Sequence, residues 1–129
     1  MNEKTYLKLI DAAKAATKNS YSPYSKFAVG AAVITKTGKI YKGANVENAS
    51  YPLTNCAERS ALFNAVSDGA KNIEAVAVWT SRGGVFPCGA CRQAIFELAP
   101  NADVIVNKKG GGIMIANIKD LLPYAFCLE

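Results

Sequence analysis

Apolar side chains return every three or four positions at Tyr6, Leu9, Ile10, Ala13 and Ala16, which predicts a helix over residues 3–18 with one face turned to a core. Pro23 and the small polar residues of NSYSPYS break that period. The rhythm then changes. FAVGAAVIT and IYKGANV, joined by KTGK, read as a hairpin with Thr37 and Gly38 at or near its turn. ENASYPLTN reads as a loop. Helical spacing resumes from Cys56 to about Val66, through Ala57, Ala61, Leu62, Ala65 and Val66, and SDG stops it. IEAVAVWT is a strand apolar enough for burial on both faces, SRGGVFP is a loop, and CGACRQAIFELA is a helix ended by Pro100. ADVIVN and GIMIA, with a turn at KKGG, are two further strands, and NIKDLL is a short helix capped by Asn117.

The order α-β-β-α-β-α-β-β-α predicts an α/β fold, a three-layer α-β-α sandwich with a mixed sheet of about five strands. No linker or repeat interrupts it, so residues 1–129 read as a single domain. Half of the residues are hydrophobic and 19% are charged, the balance of a chain that folds around a core. The opening residues MNEKTYLKLIDAAKAATK lack the apolar run of a signal peptide. No segment approaches the roughly 18–20 apolar residues that cross a bilayer. A cytoplasmic protein without a membrane partner is the expectation. The net charge of +5 is spread along the chain, with no aromatic–basic stripe, so a nucleic-acid partner is not expected.

Composition matters most through what is missing. There is no histidine, so the commonest general base and the commonest zinc ligand are both excluded. Four cysteines remain: Cys56, Cys88, Cys91 and Cys127. In a reducing compartment these are thiols or metal ligands more often than disulfides. Cys88 and Cys91 stand three apart at the start of one helix, and Cys56 begins another. If both helices run from adjacent strands toward the same edge of the sheet, the three sulfurs can hold one Zn²⁺. Helix N-termini and nearby cations favour thiolates, and Arg59 and Arg92 are placed to offset the charge of three of them. Three protein ligands leave the fourth position for water, whose pKa zinc lowers toward about 7. Glu58, two residues beyond a ligand, would carry protons there. Other readings of the same residues are a redox pair, half a structural zinc knuckle, a closed four-cysteine site that includes Cys127, and buried thiols without metal.

These motifs, Cys56-Ala57-Glu58 and Pro87-Cys88-Gly89-Ala90-Cys91-Arg92-Gln93, resemble those of the zinc-dependent cytidine deaminases of the small homotetrameric type. The resemblance extends through YSPYSKFAVGAAV, GANVENASYP, CAERSALFNAV and LLPYAF, nearly the whole chain. It implies one Zn²⁺ per chain on Cys56, Cys88 and Cys91, with zinc-bound hydroxide attacking C4 of cytidine or deoxycytidine. Glu58 then protonates N3 and later the departing amino group. It also implies that Phe27 packs on the base, that the backbone of Ala57 reads the base edge, and that Asn45 and Glu47 hold the ribose 3′-hydroxyl. Tyr51 and Phe126 match positions lent to a neighbour's site in the homotetramer, and Arg59, Arg92 and Gln93 stand behind the metal ligands. Taken alone, Phe27 fits core packing equally well, and Asn45 and Glu47 fit ordinary turn positions. Ser81-Arg82-Gly83-Gly84 departs from many members and is reminiscent of blasticidin-S deaminase, so a modified cytosine nucleoside is the alternative substrate.

Overall fold

A computed structural model describes residues 2–128. The elements follow in the predicted order: α1 (Glu3–Ala16), β1 (Val29–Thr35), β2 (Ile40–Ala44), α2 (Ala57–Ser67), β3 (Ile73–Thr80), α3 (Gly89–Leu98), β4 (Asp103–Asn107), β5 (Ile113–Asn117) and α4 (Ile118–Leu121). The strands lie side by side as β2-β1-β3-β4-β5. β1 is antiparallel to both β2 and β3, β3 and β4 are parallel, and β4 and β5 are antiparallel. The sheet is mixed, with helices on both faces.

The period-2 alternation of the central strands divides the core in two. Ala32 and Ile34 of β1, Ala75 and Ala77 of β3 and Ile105 of β4 pack with Leu9, Ile10 and Ala13 of α1. Their neighbours Ala31, Val33, Val76 and Val104 face the other way, onto Ala57, Ala61, Leu62 and Ala65 of α2 and Ile95 of α3. β3 is buried on both faces because helices cover both. A fully buried leucine such as Leu62 contributes about 1.5–3 kcal/mol from its transfer out of water.

The differences from expectation are local. Val66 lies on the outer side of α2 and is exposed, since one further helical step carries it past the buried stripe. The first helix ends at Ala16 and continues only as a 3₁₀ turn, Thr17–Asn19. The loop after β2 contains a 3₁₀ turn, Tyr51–Leu53, and a bridge pairing Val46 with Asn55. The strands that precede the two cysteine-bearing helices are not adjacent: β1 lies between β2 and β3. Because β2 and β3 are each antiparallel to β1, they point the same way, so α2 and α3 still begin at one edge of the sheet.

One glycine sets how closely α2 sits on that sheet. A Cβ at Gly43 in β2 would lie 2.3 Å from the Ala61 nitrogen, inside the helix backbone. Among the described residues, no helix is long and apolar enough to cross a membrane.

Candidate active site and metal centre

Cys56 and Cys88 occupy equivalent places, each in extended conformation as the residue before the first turn of α2 or α3. Neither side chain caps its helix. The sulfurs turn toward each other instead, with Cys56 Sγ and Cys88 Sγ 4.0 Å apart. Cys91, within the first turn of α3, is fully buried and joins them, and all three sulfurs lie within 4.8 Å of one another. Tetrahedral Zn²⁺ with bonds of about 2.3 Å holds its sulfurs about 3.8 Å apart, so this donor set fits the ion. Among the described residues this trio is the group able to hold a metal; Cys127 and Glu58 are outside it. The closed four-cysteine site is therefore not formed.

Charge is already organised for a metal. Arg59 Nη2 donates to Cys56 Sγ at 3.4 Å. Cys56 is lowered to about 5, chiefly by a hydrogen bond from Cys91 and further by Arg59, against the opposing effect of burial. Cys91 is raised by that same bond and by burial. The bond from Cys91 therefore favours the thiolate form of Cys56. The Nε of Arg59 is buried without a hydrogen-bond partner among the described residues. Arg92 is held by backbone carbonyls rather than by sulfur. Its guanidinium donates to the carbonyls of Pro87, at 2.7 Å, and Leu121, at 3.0 Å, so it ties the α3 start to α4. Gln93 Nε2 donates to the Phe126 carbonyl at 3.0 Å and holds the tail.

Glu58 is 5% exposed despite its charge. Burial pushes its carboxyl up to about 7, Cys56 adds to the rise, and Arg59 and a backbone hydrogen bond oppose it. It lines a cavity of about 260 Å³ together with Val29, Val78, Val85, Phe86, Ala57, Asn45, Thr54, Asn55, Cys56 and Cys88. The walls are mostly apolar with a few polar groups among them, the usual character of a small-molecule site. Ala57, first residue of α2 and fully buried, has a backbone N–H with no acceptor within its helix.

A second cavity, about 300 Å³, is lined by Tyr24, Ser25, Glu47, Asn48, Tyr51 and Thr54. Thr54 belongs to both, so the two spaces adjoin. Glu47 Oε1 accepts the N–H groups of Tyr24 and Ser25 at 3.0 and 3.1 Å, and Oε2 accepts the Ser25 hydroxyl. The Ser25 hydroxyl bond, helped by those amides and by Lys26 and opposed by burial, leaves the carboxyl below its ordinary value. Asn45 Oδ1 accepts from Val29 N at 2.9 Å and from the Ser20 hydroxyl, and Nδ2 donates to the Phe27 carbonyl at 2.9 Å. One N–H on Asn45 and one lone pair on Glu47 Oε2 remain, which is what a single hydroxyl needs.

Phe27 is half-buried at the head of β1 but lines neither cavity. Tyr51 and Phe126 are 77% and 68% exposed. Ser20, Ser25 and Thr54 carry no motif of their own; only their nearness in sequence to Phe27 and Cys56 could have pointed to them.

Residues 3–108 match the cytidine and deoxycytidylate deaminase zinc-binding region. The chain is 48% identical to a cytidine deaminase of Halalkalibacterium halodurans over 123 residues, covering 94% of this chain and 93% of that one. It superposes on a crystal structure of cytidine deaminase from Burkholderia pseudomallei with a TM-score of 0.89 and 47% identity, covering 98% and 100% of the two chains. It is also 33% identical over 111 residues to a blasticidin-S deaminase of Bacillus cereus, covering 79% of each. With three clustered sulfurs on two helix starts and these likenesses along nearly its full length, the chain belongs to the zinc-dependent cytidine deaminase family.

Proposed function

We propose that the protein hydrolyses cytidine and deoxycytidine to uridine and deoxyuridine with release of ammonia. The observation that carries this reading is the buried carboxyl of Glu58 beside the three-sulfur cluster, on the wall of a mostly apolar cavity. Zn²⁺, one per chain on Cys56, Cys88 and Cys91, supplies there the acidification of water from 15.7 toward about 7.

Glu58 does the proton work. Near its midpoint of about 7 it can both accept and donate at neutral pH. It takes the first proton of the attacking water and delivers it to N3 of the pyrimidine, then takes the second from the new C4 hydroxyl as the carbonyl forms and delivers it to the amino group that leaves C4. The new bond is C4–O, the broken bond is C4–N, and the products are the uracil nucleoside and ammonia. Arg59 holds the Cys56 sulfur as a thiolate.

The remaining residues orient the substrate. The free N–H of Ala57 meets the base edge and Phe27 packs on the ring. Asn45 and Glu47 offer one donor and one acceptor to the ribose 3′-hydroxyl. A nucleoside lacking that hydroxyl would leave both groups unpaired and bind poorly. The exposed Tyr51 and Phe126 suit a homotetramer in which copies complete each other's sites. A cytoplasmic setting agrees with the reduced thiols the cluster requires.

A second reading keeps the chemistry and changes the substrate to a modified cytosine nucleoside such as blasticidin S. It is supported by the Arg82-Gly83 pair in the loop beside the site and by the likeness to the Bacillus cereus enzyme. Ultraviolet assays of cytidine, deoxycytidine and blasticidin S, each with and without a zinc chelator, separate the two. Chelator-sensitive loss of cytidine absorbance is the expected result. Turnover of blasticidin S alone would install the second reading, and turnover of none would remove both.

A further inference from the structure

We propose that Arg82 is a positioning residue for the substrate: it fixes the ring of Phe27 and thereby sets how tightly the base is held. The proposal rests on Phe27 packing against the base, as proposed above. Arg82 Cζ lies over the Phe27 ring, 5.2 Å from its centroid. That is within the range in which a guanidinium is attracted to the negative face of an aromatic ring. No carboxylate pairs with Arg82 among the described residues, where Lys39–Asp68 forms the ion pair present.

The loop that carries Arg82 is built to put it there. Where β3 ends, the buried Asn107 side chain accepts from Thr80 N at 3.0 Å and donates to the Thr80 carbonyl at 2.8 Å. The chain then turns: Gly83 N donates to Thr80 Oγ1 at 3.0 Å and Gly84 N to the Asn107 carbonyl at 2.7 Å. Gly83 has φ +73, and a Cβ there would lie 2.3 Å from Lys109 N. Both flanks of the turn are therefore anchored to the ends of β3 and β4. Arg82 projects from an anchored support.

The ring is held with equal care from its own side. Phe27 N donates to Ser25 Oγ at 3.0 Å, and its carbonyl accepts from Asn45 Nδ2. Lys26 before it has φ +58, a conformation unfavourable for a side chain with a Cβ, kept in place by the Glu47 bonds to Tyr24 and Ser25. Backbone bonds on both sides leave rotation of the ring as the looser degree of freedom, and the guanidinium restrains it. It covers one face of the ring. Val29 and Val85, close along the chain to Phe27 and Arg82, line the cavity itself.

The test is steady-state kinetics on cytidine with zinc-loaded enzyme, combining Arg82→Met, Arg82→Lys and Phe27→Leu, with thermal melting of each variant to establish folding. Arg82→Met keeps the apolar stem and loses the charge. It is expected to raise KM about two- to fivefold with kcat unchanged. Arg82→Lys should recover part of that loss. In the Phe27→Leu background, Arg82→Met should change nothing further, because the partner is already gone. An unchanged KM in Arg82→Met, or an equal KM increase with and without Phe27, overturns the proposal while leaving the deaminase reading intact. If Phe27→Leu alone leaves KM unchanged, contact between ring and base fails, and Arg82's role falls with it.

Discussion

The four helices begin in two different ways. Asn2 and Asn117 start α1 and α4, and each caps its helix through its side chain, Asn2 to Thr5 N at 3.0 Å and Asn117 to Lys119 N at 3.1 Å. Cys56 and Cys88 start α2 and α3 with similar extended backbones, yet neither side chain makes a capping bond. Side-chain caps are worth about 0.5–2 kcal/mol each. The two helices at the site forgo that contribution. The helix ends that only hold the fold are capped by their own side chains, and the ends at the site are not.

The largest effect should come from removing the buried donor. Cys91→Ala is expected to abolish turnover and reduce bound zinc, measured by atomic absorption, to near none per chain. Retained zinc at wild-type stoichiometry would contradict the role given to this sulfur. Glu58→Gln comes next. It should keep about one zinc and lose about 10²–10⁴ in kcat, and near-normal turnover would remove the glutamate from the mechanism. On the structural side, Asn117→Ala should cost about 1–2 kcal/mol by chemical denaturation with kcat/KM intact. That side chain also donates to Asn101 O and Asp103 Oδ1, so more than a cap is lost.

Cys88→Ser sharpens the contrast most directly, because serine is a capping residue. Zinc affinity should fall, while under chelator the variant should melt higher than the wild type by an amount worth about 0.5–1 kcal/mol. A lower melting temperature under chelator would show that the sulfur, not the missing cap, governs the metal-free helix. Asn2→Ala, at an exposed end, should give the smallest change, about 0.5 kcal/mol with no kinetic consequence.

Element order and the two-sided core were legible in the sequence because they depend on periods of 3.6 and 2, which any window of ten residues displays. The metal trio was legible because Cys88 and Cys91 share a turn and Cys56 heads a matching helix. Strand order was not, since nothing in β2 or β3 records that β1 will lie between them. The hydrogen bonds of Arg92 were equally hidden: adjacency to Cys91 suggested charge balance for the thiolates, but not that its guanidinium would reach the carbonyls of Pro87 and Leu121. The bonds around Asn45 and Glu47 and the stacking of Arg82 on Phe27 join distant segments, where no periodic signal reaches.

The absent methyl at Gly43 reaches further than packing. Any side chain at that spot would act as a wedge under the middle of α2, lifting Cys56 and Glu58 together while Cys88 and Cys91 stayed behind on α3. The gap between two halves of a reaction centre is thus calibrated from beneath, by a hydrogen atom on a strand that touches neither sulfur nor substrate.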